Sequence, residues 1–251
     1  MDASGADSGL LTRDPLAMES NTTHWTTPEV APEVAATQRP IVKYGVEAIG
    51  TFFLVFTIGA SVRSASSLAP LAIGAVLMVM VYAGGHLSGG HYNPAVTLAV
   101  LVRRRIELRD AIGYWIAQVG AGLLAAVVVR SIVSPAHAEP VTLTLSERTM
   151  VAAFVAELLF TFALCYVVLN VATSKDHPDN SFYGLAIGFT VLAGAIAVGG
   201  ISGGVFNPAV AFGGVVMGLF AGSTLWVYLA AQIVAGAAAG FVFRMLNPGD
   251  A

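Results

Sequence analysis

Charge is scarce in this chain. Of its 251 residues only 11% are charged and 56% are hydrophobic, whereas a soluble domain carries about 25% charged residues. The few charges are also clustered: no Asp, Glu, Lys or Arg lies between Ser64 and Val102, nor from Asn180 to Phe243. The second gap is too long for one soluble core. It suits two membrane spans plus a re-entrant piece, since one helix needs roughly 20 apolar residues to cross ~30 Å of hydrocarbon. A large soluble helical protein is set aside on that ground. The single cysteine, Cys165, rules out an intramolecular disulfide framework and, lying in an apolar run, reads as an inert packing residue. No nucleophile–base pair, metal-ligand cluster or phosphate loop appears in the sequence, so neither an enzyme nor a resident cofactor or metal is expected. Nothing in it suggests nucleic-acid binding. Residues 1–40 are rich in Ser, Thr, Pro, Glu and Asp, with no apolar core behind a basic start. They read as a disordered tail rather than a signal peptide.

What is present is apolar and repeated. Six spans are expected at about 43–62, 68–87, 109–131, 148–171, 181–200 and 222–245. Two shorter apolar segments, 93–102 and 207–219, are too short to cross alone, because ten helical residues rise only ~15 Å. Leu71-Ala72-Ile73-Gly74 returns as Leu185-Ala186-Ile187-Gly188, and Asn93-Pro94-Ala95-Val96 returns as Asn207-Pro208-Ala209-Val210 at the same offset of 114. Leu87-Ser88-Gly89-Gly90 and Ile201-Ser202-Gly203-Gly204, Tyr114 and Tyr228, and Ala117-Gln118 and Ala231-Gln232 keep that offset, while Glu47 and Glu157 pair at 110. The organisation expected is a tail over 1–40, one membrane domain over 41–246 (first repeat about 43–131, second about 148–245) and a short end at 247–251. Three spans per half is an odd number, so the second copy must be inserted upside down. Such inverted repeats place a transport path on their pseudo-two-fold axis near the midplane. Nine Lys and Arg residues, among them Lys43, Arg103, Arg104, Arg105, Arg109, Lys175 and Arg244, fall on one side, against Arg63, Arg130 and Arg148 on the other. Both termini are therefore expected in the cytoplasm.

Each short segment must start inside the membrane, where its first amides would go unsatisfied in lipid. Asn93 and Asn207 are good N-cap residues, and Pro94 and Pro208 sit where no amide hydrogen is needed. The Gly-rich approaches Gly89-Gly90 and Gly203-Gly204 allow backbone carbonyls to line a narrow path. Two facing helix N-termini each bring roughly half a positive charge to the midplane. Cations are repelled there, and a water accepting from both Asn amides interrupts a proton-conducting file. A lone Asn-Pro-Ala is an ordinary helix start; two at the repeat offset in apolar segments are not.

The stretch from Gly85-His86-Leu87-Ser88-Gly89-Gly90-His91-Tyr92-Asn93-Pro94-Ala95-Val96-Thr97, with Ile201-Ser202-Gly203-Gly204-Val205-Phe206-Asn207-Pro208-Ala209, resembles the major intrinsic protein family of aquaporins and glycerol facilitators. The resemblance covers about residues 43–245. It implies an all-α membrane protein, an aquaporin-like right-handed bundle of six transmembrane helices plus two re-entrant half-helices, assembled as homotetramers in the lipid bilayer with a pore in each subunit. It implies that Glu47 and Glu157 support the re-entrant loops, as an intramembrane carboxylate needs partners. It also implies path-lining carbonyls at Gly89, Gly90, His91, Gly203, Gly204 and Val205. His91 either turns its ring to the pore, as the family's histidine does there, or packs within the loop; His86 reads as structural. Gly236 and Gly240 form a Gly-x-x-x-Gly pair that reads as close helix packing within the subunit. Residues 172–180 read as a solvated connector.

The family's four-residue filter falls, by counting from the Asn residues, on Ile73, Ala195, Gly204 and Val210. Its signature Arg is here Val210, and Ala211 stands where glycerol facilitators carry Asp. Losing the Arg removes a fixed charge that helps reject protons and cations, and Ala and Gly opposite Ile widen the constriction. The expectation is a passive channel for water and small uncharged solutes such as urea, ammonia, hydrogen peroxide or glycerol, in a prokaryotic plasma membrane. A strictly water-selective channel, a closed-pore scaffold and a coupled secondary transporter are the alternatives. The last would need an ionisable coupling residue in mid-span, and only Glu157 qualifies.

Overall fold

The computed structural model describes residues 38–134, 143 and 145–250. The expected tail lies outside the described residues over 1–37. Among the described residues eight α-helices follow in order: α1 (Pro40–Arg63), α2 (Ala69–Ser88), α3 (Pro94–Val102), α4 (Leu108–Val128, extended by a π turn over Val129–Val133), α5 (Glu147–Thr173), α6 (Tyr183–Ser202), α7 (Pro208–Val216) and α8 (Leu225–Leu246). Six of them are long and apolar enough to cross a membrane. The nine-residue α3 and α7 rise about 13 Å each, less than half the hydrocarbon.

Local chemistry accounts for the breaks. Pro40, Pro94 and Pro208 occupy first-turn positions of α1, α3 and α7, where the missing amide costs nothing. Helices α2 and α6 both stop at a glycine in the left-handed region, Gly89 and Gly203, each at φ 90°. A side chain there would be strained, so the chain turns inward at that point instead of leaving the membrane.

The packing follows the inverted repeat. Helix α1 packs on α2 and α4, just as α5 packs on α6 and α8, and the two halves meet along α2 and α6. Gly74 and Gly188 make that crossing close: a methyl on Gly188 would stand 2.5 Å from the Gly74 carbonyl oxygen. The short helices are exchanged between halves. Helix α3 lies against α8 of the second half, and α7 against α4 of the first. Gly236 and Gly240 face Ala95 and Ala99 of α3, so the Gly-x-x-x-Gly pair seats a half-helix within the subunit. Large apolar residues point outward, among them Phe53, Ile116, Leu159, Ile196 and Phe241. Water would penalise such a surface, and lipid would not.

Residues 248–250 are docked against the helix ends. Pro248–Asp250 forms a 3₁₀ turn whose Asp250 carboxylate pairs with Arg103 at 2.9 Å and Arg105 at 3.0 Å. It also accepts from the Lys175 amide at 2.9 Å. Arg103 is 1% exposed; it stacks over Phe243 and donates to the Thr173 carbonyl. The connector after α5 is therefore tied to the end of α3 through Asp250.

Candidate functional site

Asn93 and Asn207 are each 3% exposed. Asn93 Oδ1 accepts from the Ala95 amide at 2.8 Å, and Asn207 Oδ1 from Ala209 at 2.9 Å and Val210 at 3.4 Å, capping α3 and α7. Their amide nitrogens cross between the repeats. Asn93 Nδ2 donates to the Phe206 carbonyl at 2.8 Å, and Asn207 Nδ2 to the Tyr92 carbonyl at 2.9 Å. An amide nitrogen carries two hydrogens, so each Asn keeps one for a molecule between the two positive helix ends.

The approach to each Asn is a tight left-handed loop. Gly90 and Gly204 have φ 63° and 64°, and Tyr92 and Phe206 have φ 49° and 48°. For a non-glycine residue that conformation costs about 1–2 kcal/mol. Two buried carboxylates hold it. Glu47 accepts from the Ser88 hydroxyl (2.7 Å) and His91 amide (2.9 Å) on Oε1, and from the Tyr92 amide (2.6 Å) and Gln118 Nε2 (2.8 Å) on Oε2. Glu157 repeats the pattern with Ser202 (2.7 Å), Val205 (2.9 Å), Phe206 (2.8 Å) and Gln232 (2.9 Å). Four donors fill all the acceptor positions of each carboxylate, which is what a charge at 0% exposure requires. Tyr114 and Tyr228 complete the match, donating to the Ser88 and Ser202 carbonyls at 2.5 and 2.8 Å.

Between these loops runs a cavity of about 180 Å³, room for roughly half a dozen waters at about 30 Å³ each. Its walls include Asn93 and Asn207, the four positions counted from them (Ile73, Ala195, Gly204 and Val210), and Gly90, His91, Gly203 and Val205. Gly89, Pro94, Ala95, Pro208, Ala209, Glu47 and Glu157 are not among its walls; Gly89 is exposed, whereas Ala95, Pro208, Ala209, Glu47 and Glu157 are buried. No charged residue lines the cavity among the described residues. Sequence reasoning missed the helical walls Leu54, Ile58, Leu164 and Val168, although they obey the same 110 offset as Glu47 and Glu157. It also missed Leu143 and Phe220 at one end, Leu143 lying between the two repeats and Phe220 in the short link after α7; the Leu143 amide donates to the Leu219 carbonyl at 3.0 Å. At that end Arg63 donates to the Met217 carbonyl at 2.9 Å and Arg130 to that of Val216 at 2.8 Å. Both cations thus sit at the C-terminus of α7, where the dipole favours them.

Six spans, two half-helices meeting tip to tip and a narrow cavity along the axis of the inverted repeat define a multi-pass membrane channel. The chain belongs to the major intrinsic protein family, whose model matches residues 35–243; members of this family are channels, not enzymes. It is 40% identical to the glycerol uptake facilitator protein-like 6 of Lactiplantibacillus plantarum, over 83% of this chain and 99% of that protein. It is 36% identical to nodulin-26 of Glycine max, over 83% and 79%. Among solved structures it is similar to the aquaglyceroporin of Plasmodium falciparum, with a TM-score of 0.69 at 20% identity, covering 84% of this chain and 98% of that one. That last likeness concerns the fold alone.

Proposed function

We propose that this protein conducts water together with small uncharged solutes of the class of urea, ammonia, hydrogen peroxide or glycerol, with Ile73, Ala195, Gly204 and Val210 as the filter. The observation that carries this reading is that these four residues wall one cavity and none of them bears a charge. An apolar constriction with Ala and Gly opposite Ile leaves room for a solute wider than water. Backbone carbonyls replace part of its hydration, and the Asn93–Asn207 pair holds the dipolar barrier. The names of the relatives, which span glycerol uptake facilitator, nodulin and aquaporin, are compatible with a broad solute range. The working unit is a homotetramer with one path per subunit, built from residues 41–246. It sits in a plasma membrane, prokaryotic by the sequence reading, with both termini cytoplasmic.

Swelling and shrinking of reconstituted vesicles, with water and each solute measured separately, tests the reading. Solute flux above protein-free vesicles is expected without dependence on any ion gradient. Val210→Arg should lower solute flux more than water flux. Strict water selectivity refutes the wide filter, and no flux of either kind would make the protein a closed scaffold.

A further inference from the structure

Helices α3 and α7 end in the same hydrogen-bonded turn. The Arg104 amide donates to the Leu101 carbonyl at 2.9 Å and the Arg105 amide to that of Val100 at 3.0 Å. At the offset of 114, the Gly218 amide donates to Val215 at 3.1 Å and the Leu219 amide to Gly214 at 2.8 Å. Each turn places one residue in the left-handed region, Gly218 at φ 74° and Arg104 at φ 67°. Glycine takes that conformation without strain and is the usual residue at such a helix end, whereas the Cβ of an arginine is crowded there. The first half thus keeps a side chain at a position where the second half does without one.

Among the described residues, no partner within the chain accounts for that side chain. The ion pairs on this side use Lys43, Arg103, Arg105 and Lys175. Arg104 and Arg109 are exposed, and neither side chain makes a hydrogen bond or an ion pair among the described residues. The last carbonyls of α3 are served by Arg244, whose Nη1 donates to that of Val102 at 3.5 Å. This contact sets the end of α8 beside the end of α3. Large apolar side chains are exposed around the three cations: Leu108 at 59%, Met245 at 77% and Leu246 at 62%. Glu107 is an exposed carboxylate beside them, so the patch stays positive. Nine residues carry α3 about 13 Å from its start at the meeting of the repeats. Arg104 therefore emerges near the edge of a hydrocarbon leaflet ~15 Å thick, the level of lipid phosphates. Unpaired cations beside exposed apolar side chains match an amphiphile with an anionic head; a soluble anion would leave the apolar residues uncovered.

We propose that Arg104, Arg109 and Arg244 bind the headgroup of an anionic phospholipid whose acyl chains lie against Leu108, Met245 and Leu246. The strain at Arg104 is kept because its side chain works outside the protein. This surface is separate from the cavity and does not rest on what permeates it.

The experiment uses full-length protein in nonionic detergent micelles, titrated with phosphatidylglycerol or with phosphatidylcholine of the same chains. Native mass spectrometry counts the lipid retained. Phosphatidylglycerol should be held at least about ten-fold more tightly, and Arg109→Gln should weaken it about five-fold. Arg104→Gly should weaken it about five-fold as well, while its melting temperature without added lipid holds or rises, because the turn is relaxed. Arg104→Lys should keep most of the binding. Equal retention of the two lipids, or unchanged phosphatidylglycerol binding in Arg104→Gly, overturns the proposal. A lower melting temperature of Arg104→Gly without lipid overturns it too, since the side chain would then be needed by the fold itself. Inorganic phosphate or glycerol phosphate competing as strongly as phosphatidylglycerol would mark a soluble-anion site and overturn the lipid assignment.

Discussion

Changing Glu47 and Glu157 to glutamine, one at a time, turns the near-symmetry of the two loops into an energy difference. In Glu157→Gln the new carbonyl oxygen can keep the Ser202 hydroxyl and the Val205 amide, while an NH₂ group replaces Oε2. Gln232 can turn its free Oε1 to receive that NH₂, since Oε1 has no partner to lose. The Phe206 amide cannot turn and is stranded, a cost of about 1–3 kcal/mol for a buried unsatisfied donor. Glu47→Gln strands the Tyr92 amide in the same way. Here, however, turning Gln118 also breaks its 3.0 Å bond to Thr97, adding about 0.5–1.5 kcal/mol. Both carboxylates are at 0% exposure, so the desolvation cost relieved by removing the charge is similar and drops out of the comparison. Unfolding of the two variants in mixed micelles, titrated with dodecyl sulfate and followed by far-ultraviolet circular dichroism, reads the difference. Glu47→Gln should be the less stable. Equal losses, or a larger loss at Glu157, would refute this account of the two loops.

At the crossing of α2 and α6, Gly188→Ala puts a methyl 2.5 Å from the Gly74 carbonyl oxygen and 2.8 Å from Met78 Cβ. A loss of about 1–3 kcal/mol is expected from overpacking. Gly120→Ala, where nothing lies within 4 Å, is the control and should be neutral or slightly stabilising. Burial alone would raise the Asp250 carboxyl, but the Lys175 amide, Arg103 and Ser174 outweigh it and hold the group at about 2 rather than 3.8. Its contribution is therefore complete above pH 3.8 and lost as pH falls through about 2. The gap in unfolding midpoint between the wild type and Asp250→Asn should close over that window, and a constant gap would exclude the linkage. On the filter proposed above, no charge stands at position 210 and cation exclusion would fall to the half-helix ends. Planar bilayers should show a small proton or sodium conductance that Val210→Arg reduces; current at lipid background would mean the midplane barrier is enough.

Much of the fold was legible because lipid imposes simple rules. The charge-free runs placed the spans, and the Asn-Pro pairs placed the starts of α3 and α7 because few other residues cap a helix inside hydrocarbon. The offset of 114 paired the two Asn-Pro-Ala turns, whereas Gly90, Gly204 and Val210, which line the cavity, came from the family resemblance. Arg103 was not legible. In sequence it is one of three consecutive arginines, and only tertiary packing separates this buried anchor of Asp250 from the exposed Arg104 beside it. The docking of Pro248–Asp250 was invisible for the same reason, since so short a segment carries no periodicity. Leu143 escaped because it stands outside the repeat, and Phe220 because it lies in the short link between α7 and the last span, where no motif falls. His91 stayed open between two orientations, because its surroundings come from Thr97, Tyr114 and Gln118, which are distant in the chain or assigned no role by the motif alone.

The exchange of half-helices has a consequence for how the chain is made. Helix α3 leaves the ribosome early, yet the groove that seats it is lined by Gly236 and Gly240 of α8, synthesised last. The Asn93 amide likewise waits for the Phe206 carbonyl. Translation proceeds at about 5–20 residues per second, so the first turn spends seconds without its native partners. The full set of these contacts between the halves can form only after α8 is in place. A nascent chain arrested before α8 should therefore hold residues 94–102 accessible to water-soluble thiol reagents through an introduced cysteine, and release of the full chain should bury them.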